Sequence, residues 1–97
     1  MYLTLTYDGA DLVNWTPEEL RERGVPATII AAAILEKHLA ALRAERDRRL
    51  AACDWTQIAD ADLTNEQRAA WSTYRQALRD LPDTVADPAA PVWPDKP

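Results

Sequence analysis

Glycine is almost missing from this sequence, with Gly9 and Gly24 the only two in 97 residues. Two isolated glycines exclude a Gly-rich phosphate-cradling loop, which needs several closely spaced backbone N–H groups. Phenylalanine is absent, and Cys53 and His38 are each the single residue of their kind. One thiol excludes an internal disulfide, and one Cys with one His falls short of the four ligands of an ordinary zinc site. Positions 38 and 53 lie on one helical run, so about 22 Å of straight helix would separate them and they form no nucleophile–base pair. Basic charge is in deficit: 11 Lys and Arg against 16 Asp and Glu give a net charge of -5 and a pI near 4.7. That balance argues against nucleic acid as a partner. No run of 18 apolar residues occurs, and a charged n-region with an apolar h-region is lacking at the start, so neither a membrane partner nor a secretory signal is expected. The expectation is a cytoplasmic protein that is not an enzyme and takes no cofactor and no metal.

What is present points to helix. Alanine is abundant, and it enters a helix without losing side-chain entropy. A chain of this length predicts one small domain, 1–97. The domain reads as 1–25 (a strand and a short helix), 26–82 (a helical hairpin) and 83–97 (an extended tail). Residues 2–7, Y-L-T-L-T-Y, alternate with period two and predict a short strand, followed by the Asp8-Gly9 turn signal. A lone strand needs a partner, either another chain, a second copy or the C-terminal tail.

Thr16-Pro17-Glu18-Glu19 predicts a helix start, with Thr16 as N-cap, Pro17 at the first position and Glu19 closing a capping box. Trp15 and Leu20 have the spacing of a hydrophobic staple. Gly24 and Pro26 end that helix. A long helix then runs from Ala27 to about Ala52, roughly 39 Å at the usual rise. Its start is apolar nearly all round, and Ile29, Ile30 and Ile34 need cover that a partner or a homo-oligomer would supply. Further along, Leu35, Leu39, Leu42, Leu50 and Cys53 fall near one face. The Arg43, Arg46, Arg48 and Arg49 group, interleaved with Glu45 and Asp47, reads as a solvated helix face.

Thr64-Asn65-Glu66-Gln67 is a second capping box. It opens a helix with Trp71, Tyr74, Leu78 and Leu81 on one stripe, ended by Pro82. The fold class is therefore mainly α: a long helix plus an antiparallel C-terminal helix, a short N-terminal strand and helix, and an extended Pro-rich C-terminal tail. Trp55 sits at the junction of helix and loop, where it closes the hairpin and is a candidate partner contact. In the tail, Val92 and Trp93 point in different directions. One can dock on the domain while the other meets a partner, and tryptophan is enriched at binding hot spots.

The second half carries an ordered series. D-W-T-Q at 54–57 is followed by A-W-S-T-Y-R-Q-A-L-R-D from Ala70 to Asp80, and then by W-P at 93–94. Residues 44–97 with these motifs resemble the phage tail assembly chaperone family, and the W-x-x-Y-R element with the later W-P is also similar to the C-terminal part of tail-fibre assembly proteins. The resemblance implies a protein that binds a phage tail or tail-fibre protein and assists its folding or assembly in the host cytoplasm, with no catalytic residues. Two other readings fit a small acidic chain without a catalytic set. One is a structural subunit retained in the virion at the tail or fibre tip. The other is a phage protein that binds and inhibits a host enzyme.

Overall fold

A computed structural model describes all residues, Met1–Pro97. The chain is mainly α-helical, with a two-stranded antiparallel sheet at its N-terminus. It forms two compact units, Met1–Leu39 and Ala40–Pro97.

In the first unit, β1 (Leu3–Tyr7) pairs with β2 (Ala10–Trp15). The strand expected at residues 2–7 therefore finds its partner in the adjacent segment, not in the tail or another chain. Asp8 and Gly9 turn the chain with φ of 51° and 75°, as a two-residue turn suited to strand twist requires. β2 escapes a period-two reading because the register shifts between Leu3 and Leu5. Opposite that shift Asn14 takes φ 59° and its backbone N–H donates to Thr4 Oγ1 at 3.2 Å. An extra residue in one strand breaks the alternation, and Asn tolerates the left-handed region better than most residues.

α1 (Pro17–Arg23) begins with the Thr16–Glu19 capping box in both directions, at 3.2 and 3.1 Å. It stops at Gly24, whose φ of 93° closes the helix C-terminus. α2 (Ala27–Ala52) follows without a break. Its first N–H groups find a carbonyl at Pro26, which accepts from Ile29 and Ile30. Leu3, Leu12, Leu20, Val25 and Ile30 form the buried cluster of this unit, with Trp15, Ile29, Ala33 and Ile34 packed against it. Ile30 is 2% exposed. The unit thus covers Ile30 fully and Ile29 and Ile34 in part. Leu35 is an exception, 48% exposed, because it lies five residues beyond Ile30 and so points well away from the hairpin.

In the second unit α2 ends in a short 3-10 turn (Asp54–Gln57), and α3 (Asn65–Thr84) opens on the Thr64–Gln67 capping box. Pro82 does not end α3; the helix continues through it to Thr84. Proline in the last turn removes one donor, and the N–H of Val85 still closes on Leu81 O at 2.9 Å. Trp71, Tyr74, Leu78 and Leu81 are the buried residues of α3, the stripe expected from spacing. No helix is long and apolar enough to cross a membrane.

Leu20 is fully buried at the centre of the first cluster. Leu20→Ala should lower stability by about 2–5 kcal/mol. Chemical denaturation followed by circular dichroism measures it, and a change under 1 kcal/mol would mean that the cluster re-closes around the loss.

Candidate functional site: an aromatic cleft in the second unit

The site is built where α2 stops. A helix ending among apolar side chains leaves carbonyl oxygens without partners. Thr56 answers one of them: its buried hydroxyl donates to Cys53 O at 2.7 Å, and Gln57 in turn donates to Thr56 Oγ1 at 3.0 Å. Arg75, reaching across from α3, adds a donor to another, Leu50 O, which also accepts from the Cys53 backbone N–H at 3.1 Å. Its Nη1 donates to Leu50 O at 3.1 Å and lies 3.2 Å from Cys53 Sγ and 3.0 Å from Asp54 Oδ1. Burial alone would weaken the guanidinium's hold on its proton. The hydrogen bonds to Cys53 and Asp54, with the charge of the Asp54 carboxylate, outweigh that and raise its pKa. A cation beside the C-terminal carbonyls also complements the helix dipole.

Arg75 therefore ties α3 to the end of α2, and the apolar residues gather round the joint. Cys53, Trp71, Tyr74 and Leu78 form the buried cluster, with Leu50, Leu63 and Trp93 packed against it. Trp71 meets Trp55 and Tyr74 edge to face, each pair with ring centroids 5.8 Å apart. Above the cluster opens a cleft of 540 Å³, walled by Trp55, Trp71, Tyr74, Trp93 and Cys53 with Glu45, Arg49 and Lys96 at its polar margin. Its size is ordinary for a pocket that takes a small ligand or a few side chains.

One polar chain orders the margin. Glu45 accepts from Arg49 Nε at 2.9 Å and pairs with Arg48. The hydrogen bond from Arg49, followed by the charges of Arg48 and Arg49, holds the Glu45 carboxyl below its usual pKa despite some desolvation. Arg49, so fixed, lies over the Trp93 ring with its guanidinium carbon 4.2 Å from the centroid, a favourable cation–π arrangement.

The candidate contacts read from sequence divide between the units. Trp55 and Trp93 come to this cleft, Trp55 at 49% exposure. Val92 is next to it in sequence and 84% exposed, so of the two tail side chains it is Trp93 that docks. Ile30 lies in the first unit's core with Ile29 and Ile34 half-buried against it, and none of the three lines this cleft. Sequence reasoning missed Glu45, Arg49, Cys53 and Arg75 as site residues. Arg49 read as part of a solvated face, and only its i,i+4 spacing from Glu45 hinted at a fixed guanidinium.

Two tests follow from this geometry. Arg75→Met keeps most of the side chain's bulk but removes the charged hydrogen bonds to Leu50 O and Asp54, and should cost about 1–3 kcal/mol in a denaturant titration. Arg75→Lys should restore only part of it, since one ammonium cannot reproduce the fork. The folded pKa of Glu45 is depressed, so its stabilising contribution is full above the ordinary carboxylate range and disappears as pH falls through the folded value. Melting temperatures of the wild type and Glu45→Gln should therefore differ at pH 7, and the gap should narrow as pH falls below the ordinary carboxylate range and shrink in high salt. A gap that stayed constant with falling pH down to acid unfolding would refute the assignment.

The motifs D-W-T-Q, W-x-x-Y-R and W-P, distant in sequence, supply the turn, the two edge-to-face rings with the tie, and the outer wall of one cleft. A comparison with protein families matches residues 39–97 to the phage tail assembly chaperone proteins. The match takes in the whole of the second unit. A search of curated proteins gave no match. Among solved structures, the solution structure of protein CV0426 from Chromobacterium violaceum is similar throughout, at 45% identity, covering 98% of this chain and 97% of that one with a TM-score of 0.51. With more than half of its length matched and the matched motifs converging on one site, this chain belongs to the phage tail assembly chaperone family.

Proposed function

We propose that the aromatic cleft is the surface with which this chaperone holds an apolar segment of a phage tail or tail-fibre protein, in the host cytoplasm and without catalysis. The observation that carries the proposal is Trp55, which stands half exposed at the lip of the cleft while Trp71 supports it edge-on. A large ring held rigid yet open to solvent loses little conformational freedom when a partner covers it. The junction of α2 and α3, tied by Arg75, gives the ring a firm base. The chemistry of the lining supports holding over reaction: Cys53 is buried and its thiol donates to Leu50 O at 3.4 Å, while Glu45 and Arg49 are committed to one another. Assistance ends with release, so the chaperone should be absent from finished particles.

Pairwise co-expression with each tail and tail-fibre protein of the phage, followed by calorimetry on the pair that co-purifies, tests this. Trp55→Ala should weaken that pair by about 2 kcal/mol or more, roughly thirtyfold, with little change in melting temperature. Unchanged affinity would move the client surface away from the cleft. Immunoblots of purified virions that contain the chain at structural stoichiometry would favour a retained subunit instead.

A further inference from the structure

The C-terminal segment is fastened to the cleft at one place. After α3 its local hydrogen bonds are those of Val85 N–H to Leu81 O and of Ala89 and Ala90 N–H to Asp87. Beyond them Pro91, Pro94 and Pro97 have no N–H to give. What holds this last stretch is Trp93, packed on the buried cluster and stacked under Arg49. Yet residues 93–96 line the same cleft as Trp55 and Trp71.

We propose that the tail is a tethered stand-in for the client: the cleft takes a proline-flanked large aromatic side chain from an extended client segment, and Trp93 keeps that seat until the client displaces it. The inference rests on the cleft being the client surface. The chemistry of the occupant is read from the segment already seated there, Val92-Trp93-Pro94. The seat does not depend on the tail for its shape. Arg49 is fixed by Glu45, Cys53 and Leu50 are held by Arg75, and Tyr74 is braced by Trp71. It therefore remains formed when Trp93 leaves. Proline on either side of the aromatic limits the backbone freedom lost on docking, for the tail and for a client alike. A tether this short gives the tail an effective concentration on the order of millimolar. Weakly matching apolar segments then lose to the tail, and a client with the right aromatic–proline step wins.

The test uses the full chain and a synthetic peptide of its own residues 90–97, A-P-V-W-P-D-K-P, with the Trp→Ala peptide as control. Trp93→Ala, whose seat is empty, should bind the peptide at least tenfold more tightly than the wild type does, and neither chain should bind the control. Wild-type protein gives an independent reading that needs no variant: titration with the peptide should move the Trp93 indole N–H resonance to its solvent position. Equal binding by both chains, or an unmoved resonance, overturns the inference. In the co-expression assay, Trp93→Ala should tighten the client complex that Trp55→Ala weakens. If both variants weaken it, Trp93 is a fixed wall of the site; this inference falls and the proposed function stands. If neither matters, both fall. A wild-type dimer in sedimentation that Trp93→Ala abolishes would make the occupant a second copy's tail and overturn the client assignment.

Discussion

The last turn of α2 closes inside an apolar cluster, and Arg75 is what ties it to α3. One guanidinium nitrogen reaches the Leu50 carbonyl, the Cys53 sulfur and the Asp54 carboxylate at once. The Leu50 carbonyl also accepts from the Cys53 backbone N–H at 3.1 Å, so what Arg75 adds is a charged link from that carbonyl to α3. With it, α3 is brought to a fixed distance from the end of α2, and Trp71 and Tyr74, one turn and one residue before Arg75, are set over Cys53. The cleft is a consequence of this tie. Its back wall comes from α3, its floor from α2, and its lip from the 3-10 turn whose own geometry Thr56 fixes by bonding to Cys53 O.

The family motifs acquire separate physical tasks in this arrangement. In D-W-T-Q, Asp54 pairs with the tie, Trp55 forms the lip, Thr56 satisfies a helix-end carbonyl and Gln57 braces Thr56. In W-x-x-Y-R, two aromatic residues face the core while the third named residue crosses to α2. In W-P, the ring docks and the proline prevents the chain from continuing in a hydrogen-bonded form. The first unit serves a different end. Its hairpin and α1 close over the apolar start of α2, and it lies outside the family match apart from Leu39.

Much of the fold could be read from the chain because its signals are local. Both capping boxes, Gly24 after α1 and the Trp71–Leu81 stripe involve groups within a few residues of each other, and such short-range pairings are decided by spacing. β2 was hidden because its bulge at Asn14 interrupts the alternation on which strand reading depends, although Asp8-Gly9 had the form of a hairpin turn. The extension of α3 past Pro82 was hidden too, since a proline so near a helix end removes only one bond. For the site, Trp55 and Trp93 stood out as large rings in segments with no obvious core duty. Glu45, Arg49 and Arg75 did not, because a charged residue on a helix looks the same in sequence whether it faces water or another helix. Arg75 lies 25 residues from the carbonyl it serves, and only the tertiary fold gives it that role.

Three of the four tryptophans gather around one cleft, while Trp15 belongs to the other unit. Indole emission is sensitive to water and to nearby charge. Trp55 is half in solvent, Trp71 is buried, and Trp93 lies against a guanidinium. The intrinsic fluorescence of the unlabelled protein is consequently weighted towards the cleft, and its wavelength and intensity act as a built-in optical gauge of whether that surface is open, covered by its own tail or filled by another chain.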